Sequence, residues 1–144
     1  MLQGFLIDPF RQVVEPVACE GSLSGIYRVI EVNAFAAVQV ALGGEHLVLY
    51  VDEIGLMRKQ RAFFMVANRV LTGRSLVLSL DASGDSVSAR TTLELLSREV
   101  SWVSEKFAEG ALAYGLQVAL AQAVSRGMRV RRTEMGFVAF PLGG

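Results

Sequence analysis

The sequence predicts an α+β fold with a mainly antiparallel sheet, one short N-terminal helix, and a longer apolar C-terminal helix followed by a β-hairpin. Three observations carry that expectation. Short apolar and β-branched runs fill the first two-thirds of the chain, separated by turn signals such as Asp8-Pro9, Gly43-Gly44 and Asp81-Ala82-Ser83-Gly84-Asp85. From Glu105 to Arg126 the apolar spacing becomes helical. Beyond it, Met128–Arg132 and Phe137–Phe140 read as two strands around Thr133-Glu134-Met135-Gly136.

Taken in order, Gly4–Asp8 is a strand stopped by Asp8-Pro9, and Gln12–Ala18 pairs back onto it. Ser22 or Ser24 caps a helix running to about Glu31, with Ile26, Val29 and Ile30 on one face. Phe35–Leu42 and Leu47–Val51 form a hairpin, because Gly43-Gly44 accept positive φ without steric cost. Ala62–Ala67 and Ser75–Leu80 are further strands. Residues 3–81 are then expected to make one sheet packed by the helix at Ile26–Ile30. Thr91-x-x-Glu94 matches a capping box for a helix over Leu93–Arg98. Val100–Val103 fits either a strand or a continuation of that helix. Gly127 stands where a helix beginning near Glu105 would end.

The 144 residues suit a single domain, 1–144, in which 105–144 is a C-terminal extension of helix plus hairpin. With 52% hydrophobic residues and a mean hydropathy of +0.42, a core is within reach. Cys19 is the one cysteine, so no internal disulfide forms and a reducing, cytoplasmic location is expected. Met1-Leu2-Gln3-Gly4-Phe5 lacks the basic and long apolar regions of a signal peptide. The longest uncharged stretch, Gly110–Ser125, falls short of the ~20 residues of a membrane helix. Net charge is zero, yet residues 1–55 hold seven acids and two bases while the remainder holds seven acids and twelve bases. Such opposed halves can attract each other within one fold.

Four pieces stand in a recognisable order: Ile7-Asp8-Pro9, Ile26-Tyr27-Arg28-Val29-Ile30, Val51-Asp52-Glu53-x-Gly55-Leu56, and Gly73-x-x-Leu76-Val77-Leu78 running to Asp81 and Gly84-Asp85. Over residues 1–104 the chain thereby resembles a family of small phage- and conjugative-plasmid-encoded proteins known as a domain of unknown function. It departs from that pattern at Asn68-Arg69-Val70-Leu71 and Ser79, where a Pro-containing loop and a glycine are expected. The resemblance implies a mobile-element accessory protein, of a kind found near anti-defence genes, and it carries over no catalytic residues.

Catalytic motifs are sparse. Cys19 and His46 are the only Cys and His, so no zinc-finger spacing exists and no metal or cofactor is expected. Gly21-Ser22-Leu23-Ser24-Gly25 places Leu23, not serine, at the centre of what would be a nucleophile elbow. No glycine spacing matches a P-loop or a dinucleotide fingerprint. Asp52, Glu53 and Asp81, with Asp85, are the best carboxylates for acid/base work or for a small-molecule or nucleotide site. They also sit where turns use Asp for local hydrogen bonds.

Two basic clusters and one helix remain. Arg58-Lys59-Gln60-Arg61 and Arg126-Gly127-Met128-Arg129-Val130-Arg131-Arg132 are candidate partner surfaces, chiefly Arg129 and Arg131 on one strand face, supported by Arg132, Arg58, Lys59 and Arg61. The C-terminal helix is apolar nearly all round, and Leu112, Gly115, Leu116, Ala119, Leu120 and Ala123 form a candidate homodimer interface. The mobile-element context that the resemblance implies, together with the lack of a catalytic constellation, makes the expected function a non-enzymatic accessory protein of a phage or plasmid. It would inhibit a host defence system of CRISPR or restriction type by protein–protein binding in the host cytoplasm. One alternative is a nucleic-acid-binding accessory factor using the basic clusters. Another is a small-molecule binder or enzyme built on Asp52, Glu53 and Asp81.

Overall fold

In the computed structural model, which describes residues 1–114, 128–133 and 136–141, the strands pair antiparallel throughout. The chain divides into two compact units, Met1–Glu105 and Lys106–Gly144. The fold class is α+β.

The first unit is built on a main sheet of β1 (Leu2–Asp8), β2 (Val13–Cys19), β3 (Phe35–Leu42), β4 (Glu45–Asp52) and β7 (Ser75–Leu80). The order is β2-β1-β7-β4-β3, and the two-residue β8 (Ser86–Val87) pairs with the end of β7. The β3–β4 register sets Leu42 opposite Glu45, so Gly43 and Gly44 alone make the turn. Both have positive φ, 57° and 81°, the left-handed pair that matches the twist of a two-residue hairpin.

Alternation along the central strands makes two apolar faces. One face carries Leu6, Cys19, Val48, Leu76 and Leu78, covered by Ile26 and Ile30 of α1 (Leu23–Ile30). Ser22 caps this helix by accepting a hydrogen bond from the Gly25 N–H at 3.3 Å. Glu31 closes it in the left-handed region, φ 58°.

The opposite face carries Ile7, Val40, Leu42, Leu47, Leu49, Val51 and Val77. A helix on one side cannot cover it. A second, three-stranded sheet does: β5 (Phe63–Val66) lies between β6 (Arg69–Thr72) and β9 (Ser101–Val103). Phe64, Val66 and Leu96 of α2 (Leu93–Glu99) join this core, each essentially without solvent exposure. Burying one such side chain is worth roughly 1.5–3 kcal/mol, which favours a covering layer over an exposed apolar sheet face. The expectation of one sheet across 3–81 is thus corrected. Residues 63–72 leave the main sheet to cover it.

A second correction concerns the capping box. Thr92, not Thr91, is the N-cap, accepting from the Leu95 N–H at 3.1 Å. Thr91 is enclosed, and its Oγ1 has no hydrogen-bond partner. Either threonine has the chemistry of a cap; packing selects the exposed one. Within Val100–Val103, Val100 caps the end of α2 and Ser101–Val103 forms strand β9, paired with β5 from Met65↔Ser101 to Phe63↔Val103.

A helix occupies 105–114. Its expected continuation to Arg126, with Gly115, Leu116, Ala119, Leu120 and Ala123, lies outside the described residues. Leu112 is half-buried. In the second unit, β10 (Met128–Thr133) pairs with β11 (Gly136–Pro141) in a hairpin. Among the described residues, no helix is long and apolar enough to cross a membrane.

Candidate functional site

β1 and β4 both run antiparallel to β7, so their C-terminal ends and the start of β7 meet at one end of the main sheet. That topology gathers Asp8, Asp52 and Arg74, with Glu31 arriving from the end of α1. The loop after β4 turns through a short 3-10 segment, Gly55–Met57, and delivers Arg58, Lys59 and Gln60 to the same place. Gly55 is needed there: a Cβ on it would meet Thr72 Cγ2 at 2.6 Å.

Asp8 organises this end. It is fully buried, and its Oδ1 accepts from the backbone N–H groups of Phe10 and Arg11 at 3.0 and 3.2 Å. Its Oδ2 accepts from Arg11 Nε at 2.8 Å and Arg74 Nε at 3.3 Å. Burial pushes its pKa up, but the hydrogen bonds from Arg11 and Arg74 outweigh that and hold the carboxyl below its ordinary value. Arg74 also reaches Glu31 at 2.8 Å and lies over the Phe10 ring, 5.5 Å from its centroid. Across the site, Asp52 accepts from Arg58 Nε at 2.9 Å and, through its other oxygen, from the Ile54 N–H at 3.2 Å.

The result has two tiers. An inner cleft of about 140 Å³ is lined by Glu31, Asp52, Gly55, Thr72 and Gly73 among others. An open outer groove is lined by Phe10, Arg58, Lys59, Gln60 and Arg74. Carboxylates lie in the inner tier, where they orient Arg58 and Arg74. The outer groove presents three cations, an aromatic ring and an amide, with no carboxylate in its lining. Beside it, Ile54, Leu56 and Met57 are exposed, at 40%, 51% and 63%.

The residues singled out from sequence are redistributed. Arg58 and Lys59 line the groove. Arg61 pairs with Glu105, donates to the Leu56 carbonyl at 3.2 Å and sits 5.6 Å from the Phe63 ring centroid. Asp52 is in the cleft and Glu53 is exposed next to it, but Asp81 is at the far end of β7. The six residues of β7 separate Arg74 from Asp81, seven steps of chain or roughly 24 Å at ~3.4 Å per step. Asp81 works as a turn residue, accepting from the Ser83 and Asp85 N–H groups, both at 2.9 Å. These carboxylates therefore do not form one site.

Cys19 and His46 stand on β2 and β4, three strand spacings apart, or about 14 Å. Burial pushes the Cys19 thiol up, away from the nucleophilic thiolate. Arg129, Arg131 and Arg132 fall on β10, opposite Phe140, Val138 and Phe137. Sequence reasoning passed over Phe10 and Arg74, and named Gln60 only as part of the Arg58–Arg61 cluster. The available signal was the pair of strands ending in Asp8 and Asp52, each followed within six residues by an arginine.

No family model matches the chain, and no curated protein or solved structure is significantly similar to it.

Proposed function

We propose that this chain is a non-enzymatic accessory protein of a phage or conjugative plasmid that inhibits a host defence system, of CRISPR or restriction type, by binding a host protein in the cytoplasm. The outer groove carries the binding part of this reading. Three cations and Phe10, flanked by exposed Ile54, Leu56 and Met57, have the arginine, methionine and aromatic enrichment of protein interfaces. The orienting pairs with Asp52, Asp8 and Glu31 hold Arg58 and Arg74 in place, so less side-chain entropy is lost on docking. An acidic, partly apolar protein surface is the complementary partner. The resemblance over residues 1–104 supports the mobile-element context. Arg129, Arg131 and Arg132 on β10 are a second proposed contact, and the apolar stripe of the sequence at Leu112–Ala123 a proposed dimer surface.

A second reading, a nucleic-acid-binding accessory factor, draws on the same groove. Cations interleaved with an aromatic ring also suit a single strand with a stacked base. The test is phage infection or plasmid transformation of matched defence-positive and defence-negative hosts, with and without the protein. Restored efficiency confined to one defence type is expected. Equal efficiency across several types would reject the reading. Binding to any DNA or RNA with a steep salt dependence would favour the second one.

A further inference from the structure

The two edges of the main sheet differ. β2, at one edge, carries Glu15 and Pro16 in its middle, the charge and missing N–H by which natural sheets discourage a further strand. β3, at the other, has the sequence Phe-Ala-Ala-Val-Gln-Val-Ala-Leu. It has no proline, and no charged residue occurs anywhere from Val32 to Gly44. One side of β3 pairs with β4 over its full length; among the described residues no strand pairs with the other side. A long, uncharged, apolar edge of this kind is a template for another strand. Its apolar rows are also left incomplete. Val40 and Leu42 are buried, but Phe35, Ala36 and Val38 remain half-exposed.

We propose that β3 is the seam of a homodimer, pairing antiparallel with β3 of a second copy so that the two main sheets become one. The charge pattern selects this occupant. An edge without charge offers nothing to an acidic or basic partner, whereas two copies meet with no like-charge opposition. A face-matched register is available as well. A twofold axis normal to the sheet at Val38 sets Val38 on Val38, Ala36 on Val40, Ala37 on Gln39 and Phe35 on Ala41. Each pair joins residues of the same strand face, so the two cores stay on their own sides of the joined sheet. The two-residue turn at Gly43-Gly44 leaves that end of the strand unobstructed. This inference is independent of the groove and is an alternative to the dimer surface proposed at Leu112–Ala123.

Sedimentation equilibrium at micromolar concentration tests it, comparing the wild type with Ala37→Lys/Gln39→Lys. Both positions are exposed, so the monomer fold should survive, while lysines now oppose one another across the axis. The expected result is a wild-type dimer and a monomeric variant with an unchanged far-UV spectrum. A monomeric wild type would overturn the inference. So would a variant that dimerises as tightly as the wild type, because the seam would then lie elsewhere. Should the variant fail to fold, hydrogen exchange on the wild type decides. Amides in 35–42 should become more protected as protein concentration rises, while those in 13–19 should not. No concentration dependence at 35–42 would overturn the inference.

Discussion

Arg74 donates from Nε to the buried carboxylate of Asp8 at 3.3 Å, across 66 positions of sequence. That bond joins the end of β1 to the start of β7, and the other nitrogens of Arg74 extend it to Glu31 and the face of Phe10. Asp8 is therefore the anchor of the groove, although it is not itself in the groove lining. Its replacement separates the stability of the site from its binding chemistry.

Asp8→Ala should lower stability by about 1–3 kcal/mol, because two partly buried N–H groups and two guanidinium groups lose their acceptor. A shift in the urea midpoint with an unchanged slope would measure it. The loss also depends on pH. The folded carboxyl titrates below its ordinary value of 3.8, so its stabilisation is fully present above about pH 4 and fades as pH falls through the lowered folded value. The difference between wild type and variant should shrink below pH 4. A gap that widened there would show that Asp8 is not held as a stabilised carboxylate.

Gly55→Ala should destabilise by about 1–3 kcal/mol, since the new methyl meets Thr72 Cγ2 at 2.6 Å. Thr72→Ser removes that methyl and keeps the hydroxyl that donates to the Ala62 carbonyl at 3.0 Å. A double-mutant cycle should show the pair recovering part of the loss. Strict additivity would locate the problem elsewhere in the 3-10 turn.

The adjacent threonines at the start of α2 should behave oppositely. Thr92→Ala removes the cap and should cost roughly 1 kcal/mol. Thr91→Val keeps the shape and deletes a buried hydroxyl without a partner, so thermal melts should show no loss or a gain.

Phe10→Ala/Lys59→Glu alters the groove without touching its anchor. Both residues are exposed, so the fold should lose no more than about 1 kcal/mol. Anti-defence activity or partner affinity should fall by roughly thirtyfold, about 2 kcal/mol at an interface hot spot. Full activity in a folded variant would remove the groove from the binding surface.

Arg129→Ala/Arg131→Ala should melt near wild type, within ~0.5 kcal/mol, yet lose partner binding. Retained binding would return these arginines to an ordinary solvated strand face.

Much of the first unit is written in local sequence. Asp8-Pro9 ends β1, Gly43-Gly44 turns β3 into β4, and Ser22 starts α1, each through a preference that a few neighbouring residues settle by themselves. Ser75–Leu80 is apolar enough to be read directly as a strand, and it lies at the centre of the main sheet. Other outcomes depended on partners far along the chain. Residues 63–72 form a separate layer because an apolar face made by β1, β4 and β7 has to be covered, and no window around Phe64 contains that face. Thr92 caps in place of Thr91 because packing encloses one of two equivalent hydroxyls. Arg58 and Arg61, three residues apart, turn respectively to Asp52 and Glu105. The sequence by itself determined most of the strands, the tight turns and the Ser22 cap, whose energies are local. Tertiary structure decided which strands share a sheet and which arginines face the groove, because burial and charge pairing act between residues that only the fold brings together.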